Sequence, residues 1–257
     1  MIASRLFLLF VLVLAGCAEP QPITRRTLPL VGLFSDAKLG DSVPSGWEPW
    51  ILSNFKKPTE YRIVRDGGRT VIKAKANASA SGLIYGLSVD LKKHPYLTWR
   101  WKVAALIEDA DNTRKSKEDS PVRLVVAFGG NMEKLSFDDR LFAQQFKMFT
   151  RRELPYATLM YIWENRVPEN TVITNAHTGR IKMIVAETGS KRLGQWYTET
   201  RNVYEDYKRA FGEEPPPVQW VAIMTDTDNT GGVADAYYGD IAFLTDTPLL
   251  VEQSSIE

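Results

Sequence analysis

The sequence predicts a mainly β protein: an antiparallel β-sandwich of the jelly-roll, carbohydrate-binding-module-like kind, with one or two short helices. Roughly ten runs rich in β-branched and aromatic residues follow one another through short polar connections. Asp66-Gly67-Gly68 between two of these runs is a strong hairpin signal. Only two segments carry apolar residues at helical spacing.

Taken in order, the chain begins with Arg5 and an unbroken apolar run from Leu6 to Leu14, then Leu14-Ala15-Gly16-Cys17. An apolar stretch this short with small residues at its end is a secretory signal rather than a membrane span. The tetrapeptide resembles a bacterial lipobox, and the chain's single cysteine occupies the one position that motif acylates. Residues 1–16 are therefore expected to be a lipoprotein signal peptide and Cys17 the lipidated residue. Residues 17–30, with Pro20, Pro22 and Pro29, form a lipid-anchored tether; 31–247 form a single β-sandwich domain; 248–257 are a C-terminal tail. Ala18 after the cysteine resembles the pattern exported to the outer membrane, so the expected location is that membrane, facing the periplasm.

Strands are expected at Tyr61–Arg65, Thr70–Ala76, Leu83–Leu91, Tyr96–Val103 and Pro121–Phe128. The remainder are Ala157–Glu164, Arg180–Glu187, Gln195–Val203, Val218–Asp226 and Ala234–Leu244. Gly46-Trp47-Glu48-Pro49-Trp50 reads as a turn bearing two tryptophans. One helix begins at Ser136, which can cap it with Asp139, and carries Phe137, Leu141, Phe142, Phe146 and Phe149. The second spans Val203–Phe211, capped by Asn202 with Glu205 and ended by Gly212.

Composition narrows the function. The chain has 32 Lys and Arg against 31 Asp and Glu, a balance that argues against a nucleic-acid partner. With Cys17 used as an anchor, no thiol nucleophile remains. Two histidines, His94 and His177, cannot build a clustered zinc site. There is no Gly-x-Ser-x-Gly elbow, phosphate loop or dinucleotide glycine pattern.

The candidate ligand-binding residues are Trp99, Trp101, Asp119, Arg123, Trp163, Glu164, Trp196 and Arg201. Strand alternation puts Trp99 and Trp101 on one face, either as core filling or as a platform for a sugar ring, with Arg100 and Lys102 on the other. Asp119 lies at the start of a very apolar strand and Arg123 on that strand's polar face, a carboxylate and a guanidinium able to pair with each other or with a ligand. Trp163-Glu164 and Trp196 with Arg201 stand at strand ends, which in sandwiches gather at the rims.

The densest cluster of acids lies at Asp226-Thr227-Asp228-Asn229-Thr230-Gly231. It starts like an EF-hand loop but offers Tyr237 where a bidentate glutamate is required. It also matches a phosphatase Asp-x-Asp-x-Thr motif, yet too little chain follows for that chemistry. Two readings remain: an Asx-rich turn, or a calcium site formed by Asp226, Asp228 and Asn229 with Asp240, or Asp235, from the next strand.

Trp99-x-Trp101, Asp119-x-Pro121-x-Arg123, Tyr161-x-Trp163, Trp196 with Arg201-Asn202-Val203, Asp206-Tyr207, Thr225 to Gly231 and Tyr238-Gly239-Asp240-Ile241 occur in that order. In this the chain resembles the uncharacterised bacterial envelope family known as domain of unknown function 3047, from about residue 34 to 244. The resemblance implies a secreted jelly-roll-like domain and no particular reaction. Many members have paired aspartates where this chain has Asp119-Ser120, and the Asn131–Arg152 segment is longer than the resemblance implies. Three functions follow as expectations. The first is a lipid-anchored envelope module binding glycan, with a structural calcium. The second is an enzyme acting on polysaccharide through a carboxylate pair or a histidine. The third is an assembly lipoprotein docking an envelope protein.

Overall fold

The computed structural model describes residues 30–31, 33–41, 43–53, 55–150 and 152–246. The expected leader, Cys17, most of the tether and the tail lie outside them. No helix among the described residues is long and apolar enough to cross a membrane.

Among the described residues, thirteen strands and two α-helices follow one another: β1 (Leu30–Val31), β2 (Trp47–Ile51), β3 (Glu60–Asp66), β4 (Arg69–Asn77), β5 (Ala80–Val89), β6 (Tyr96–Val103), β7 (Ser120–Phe128), α1 (Phe137–Thr150), β8 (Ala157–Glu164), β9 (Val172–Thr174), β10 (Ile181–Thr188), β11 (Tyr197–Asn202), α2 (Val203–Phe211), β12 (Val218–Asp226) and β13 (Val233–Leu244). One sheet has the order β11-β6-β13-β4-β3, with β1 also beside β13; the other runs β2-β5-β12-β7-β8-β10-β9. From β4 to β7, and again from β10 to β13, successive strands change sheet. That switching is what makes the two sheets a jelly-roll-like sandwich. The β8–β10 pair is parallel, in an otherwise antiparallel ladder, because β9 turns the chain back before β10 begins.

Local chemistry explains the elements. The β3–β4 hairpin turns through Gly67 and Gly68, whose φ angles of 57° and 76° suit only the left-handed region. Asn202 caps α2 by accepting from the Glu205 amide at 3.0 Å, and Gly212 at φ 71° ends it. Ser136 and Asp139 form the reciprocal cap of α1.

The core lies between the sheets. Trp99 and Trp101 of β6 meet Tyr161 and Trp163 of β8 across it, at 5.0 and 6.3 Å between ring centroids. Each such ring contributes roughly 1.5–3 kcal/mol of burial. β7 supplies Val122, Leu124, Val126 and Phe128 to this layer. Its alternate residues, Val125 among them, face the outside of the seven-stranded sheet and are buried as well. That sheet is therefore apolar on both faces, and its outer face needs a cover. α1 and the chain after it provide one.

Candidate functional site

The strand ends of β7, β8 and β12 converge at one end of the sandwich. Arg123 was expected on a polar strand face, but all nine residues of β7 are buried, Arg123 included. Its guanidinium forms a two-point pair with Asp226, at 2.9 Å from Nε to Oδ1 and 3.2 Å from Nη2 to Oδ2. Nη2 also donates to the Glu118 carbonyl and to Asn112 Oδ1, while the Ser120 amide donates to Asp226. Burial pushes the Asp226 carboxyl up to about 6, with Asp119's charge adding to the rise and Arg123 opposing it. Asp226 thus remains ionised against Arg123 at neutral pH.

Asp119 is fully buried and receives the amides of Asn229 and Thr230 and the Thr230 hydroxyl. Glu164, buried at the end of β8, receives the amides of Asn112, Arg166 and Val167. Asp119, Arg123, Glu164, Asp226 and Asn229 are thereby brought into one hydrogen-bonded network, with Asn112 at its centre. The network holds the 227–232 turn against the loop before β7.

One oxygen each from Asp119, Asp226 and Asp228 lie within 4.8 Å of one another, so the trio could hold a metal ion. The surrounding donors set the terms. Both Asp226 oxygens face Arg123, Asp119 is saturated by three donors, and Lys56 sits 2.6 Å from Asp228 Oδ2. Within the trio, Asp228 Oδ1 is a buried oxygen without a hydrogen-bond partner. Two protein cations already stand where calcium's charge would go. Asp240 does not belong to the set: it lies on β13 and accepts the Ser35 amide at 2.8 Å. The β-bulge between Tyr238 and Ile241 shifts its register in the six-stranded sheet.

The remaining expected residues separate. Trp99 and Trp101 are 1% and 0% exposed, so they fill the core and cannot be a stacking platform. Trp163 is equally buried and donates to the Gly189 carbonyl. Arg201 stands apart from this network, where it grips Asp206 with two hydrogen bonds and Asn170 with a third. Trp196 lies on the outer face of the six-stranded sheet, with Arg100 over its ring at 4.9 Å. His94 sits in the β5–β6 turn. His177 stacks on Phe142 of α1, and neither histidine reaches the acidic network.

One apolar recess has no counterpart among the residues singled out in the sequence. Outside the seven-stranded sheet, a groove of about 340 Å³ runs between the sheet and the segment after α1, floored by Trp50, Ile84, Met160, Trp220 and Met224. Trp50 and Trp220 meet edge to face at 5.4 Å. Trp50 can lie this low because its partner across the ladder is Gly82, where a Cβ would stand 2.9 Å from the Trp50 ring and 2.4 Å from the Ile223 carbonyl. A second recess of about 270 Å³ adjoins it through Glu153 and Leu154 and brings Glu133, Arg140, Gln144 and Lys147 to the wall. α1 is pinned there by Asp139, which accepts from Thr178 and Gly179. The Arg123–Asp226 pair lies on the same face as the groove, since Arg123 pairs in register with Met224. The hint in the sequence is the Trp47/Trp50 segment, which reads as a turn because Gly46 precedes one tryptophan and Pro49 the other, whereas the structure makes it β2.

A protein-family model described as "Protein of unknown function (DUF3047)" matches residues 45–242. No curated protein sequence matches the chain. Among solved structures, the Emp47p carbohydrate recognition domain is similar at a TM-score of 0.39 and 11% identity, over 84% of this chain and 93% of that one. The cellulose-induced protein Cip1 gives 0.34 and 9%, over 79% and 92%. The glycoside hydrolase domain of Endo-D from Streptococcus pneumoniae R6 gives 0.35 and 8% over 79% of this chain, which spans only 22% of that one. Scores this low add nothing to what the strand order already shows.

Proposed function

We infer, for a chain that belongs to the DUF3047 family, a non-catalytic binding module of the cell envelope, anchored through Cys17 at the outer membrane, that takes a glycan in the groove over the seven-stranded sheet. The observation that carries this reading is the pair Trp50 and Trp220, an aromatic floor beneath a wall of amide, carboxylate and guanidinium groups. Sugar rings present an apolar C–H face and a rim of hydroxyls, and this lining offers a partner to each. The acids singled out in the sequence are committed elsewhere: Asp119, Glu164 and Asp226 are buried and held by protein donors. A general acid or base must reach a substrate proton, and these do not.

Titration calorimetry of the protein against soluble envelope glycans tests the reading. Trp220→Ala is expected to weaken binding roughly tenfold, the equivalent of about 1.4 kcal/mol of lost ring contact. Failure of all such glycans to bind, or an unchanged affinity in the variant, would count against it. Calcium has a smaller place. Because Arg123 and Lys56 already offset two of the three carboxylate charges and protein donors hold Asp119, chelation with EGTA is expected to leave the thermal midpoint unchanged. A clear drop on chelation would instead assign a structural calcium to Asp119, Asp226 and Asp228.

A further inference from the structure

The outer face of the six-stranded sheet, on the far side of the molecule from the groove, carries a row of side chains set directly opposite one another. Arg62 of β3 pairs in register with Lys73 of β4, Lys73 with Tyr237 of β13, and Tyr237 with Lys102 of β6. Trp196 ends the row. Lys73 Nζ stands 5.4 Å from the Tyr237 ring centre, and Lys102 Nζ lies 4.3 Å from Tyr237 and 5.5 Å from Trp196. Cations and rings therefore alternate across the sheet.

Like charges directly opposite on neighbouring strands repel, and the Arg62–Lys73 pair is such a contact. Arg69 does the same to Arg100: burial lowers the Arg100 pKa, Arg69 lowers it further, and Asp240 works against both. Glu60 holds Arg62, Asp235 holds Lys73 at 3.3 Å, and Asp66 reaches over from the hairpin tip to hold Lys102. Among the described residues, Lys75 and Arg100 take part in no ion pair. Lys75 joins Glu60, Arg62 and Lys73 around a recess of about 290 Å³. The face thus holds unrelieved positive charge beside half-buried aromatic rings, an arrangement with a cost that a bound anion would offset.

We propose that this face is a second binding site, for a carboxylate-bearing glycan. Lys75 and Arg100 would meet its carboxylates, with Trp196 and Tyr237 beneath its rings. The acids interspersed in the row select among polyanions. Glu60, Asp66 and Asp235 would repel a nucleic-acid backbone or an anionic bilayer, where phosphates crowd closely. They can accept hydrogen bonds from the hydroxyls of a sparsely charged sugar chain.

The test measures binding of polygalacturonate, neutral dextran and phosphatidylglycerol vesicles to the full chain. Polygalacturonate is expected to bind, more weakly as salt rises, and dextran not to bind at this face. The double variant Lys75→Gln/Arg100→Gln should lose at least roughly tenfold in affinity for polygalacturonate with an unchanged thermal midpoint. The charge-preserving variant Lys75→Arg/Arg100→Lys should restore most of it. Trp220→Ala should leave it unchanged, which separates this site from the groove. Equal binding of dextran and polygalacturonate, insensitivity to the double variant, or binding of vesicles in place of polygalacturonate would each overturn the proposal.

Discussion

Replacing Arg123 by methionine is expected to cost about 3–5 kcal/mol of folding stability, read as a fall in the urea midpoint at constant m-value. The figure follows from what is left behind. Asp226 would keep a buried carboxylate with only the Ser120 amide to hold it, and the Glu118 carbonyl and Asn112 side chain would lose their donor. A buried charge without its partner forfeits solvation that nothing replaces. The reverse change, Asp226→Leu, should be similarly severe because it strands the guanidinium. Joining the two as Arg123→Met/Asp226→Leu should cost far less than the sum, since apolar groups then lie against Met224 and Met183, which already touch the site. Additive losses in the double variant would mean that the pair is not a coupled unit. Its place at the end of the groove floor gives a further readout: ligand affinity should fall with stability in the single variants and recover in the double one.

The fold was readable because the strands of the sandwich carry their own punctuation. Tyr96–Val103, Ala157–Glu164 and Val218–Asp226 fall where β-branched and aromatic density predicts them, and Val203–Phe211 lies between its cap and its glycine as expected. β2 escaped because Pro49 interrupts it; as the outermost strand of its sheet it can carry a residue without an amide hydrogen. β9 is three residues long and too short to announce itself.

The site was harder to read, for a physical reason. Alternation tells which residues share a face but not which face is covered, and here the outer face of one sheet is nearly as dry as the core. Arg123 looked like a residue on a polar face because charge usually means solvent. Its burial depends on Asp226, which lies 103 positions away in sequence. Of the two readings open for Trp99 and Trp101, core filling holds and the platform does not, in line with the aliphatics that flank both on the same face. Trp50 and Trp220 come together only through the β2-β5-β12 neighbourhood, which no local pattern encodes.

Glu199→Gln is expected to stabilise the protein at alkaline pH, and the reason lies in a bulge. In β10 the register shifts between Val185 and Glu187, so Glu187 turns into the sandwich beside Trp163 instead of continuing along the outer face. There it meets Glu199, which β11 directs inward opposite Trp99. Both are buried, Arg192 pairs with Glu187, and one Glu199 oxygen has no partner. Burial first, then the Glu187 charge, raises the Glu199 carboxyl to about 8. A folded-state value above the unfolded one of 4.5 means that the native protein holds a proton which the unfolded chain releases. The protein therefore carries no penalty from this group below about pH 4.5, loses stability steadily as pH rises towards 8, and loses no more beyond it. The loss across that window is on the order of 3–5 kcal/mol for the pair. Glutamine keeps an amide to offer Glu187 and has no proton to release. The variant should match its parent near pH 4.5 and exceed it increasingly up to pH 8, giving a flatter curve of urea midpoint against pH. A variant no more stable than its parent at pH 9 would show that Glu187 and Glu199 do not share a proton in the folded protein, and that the bulge serves packing alone.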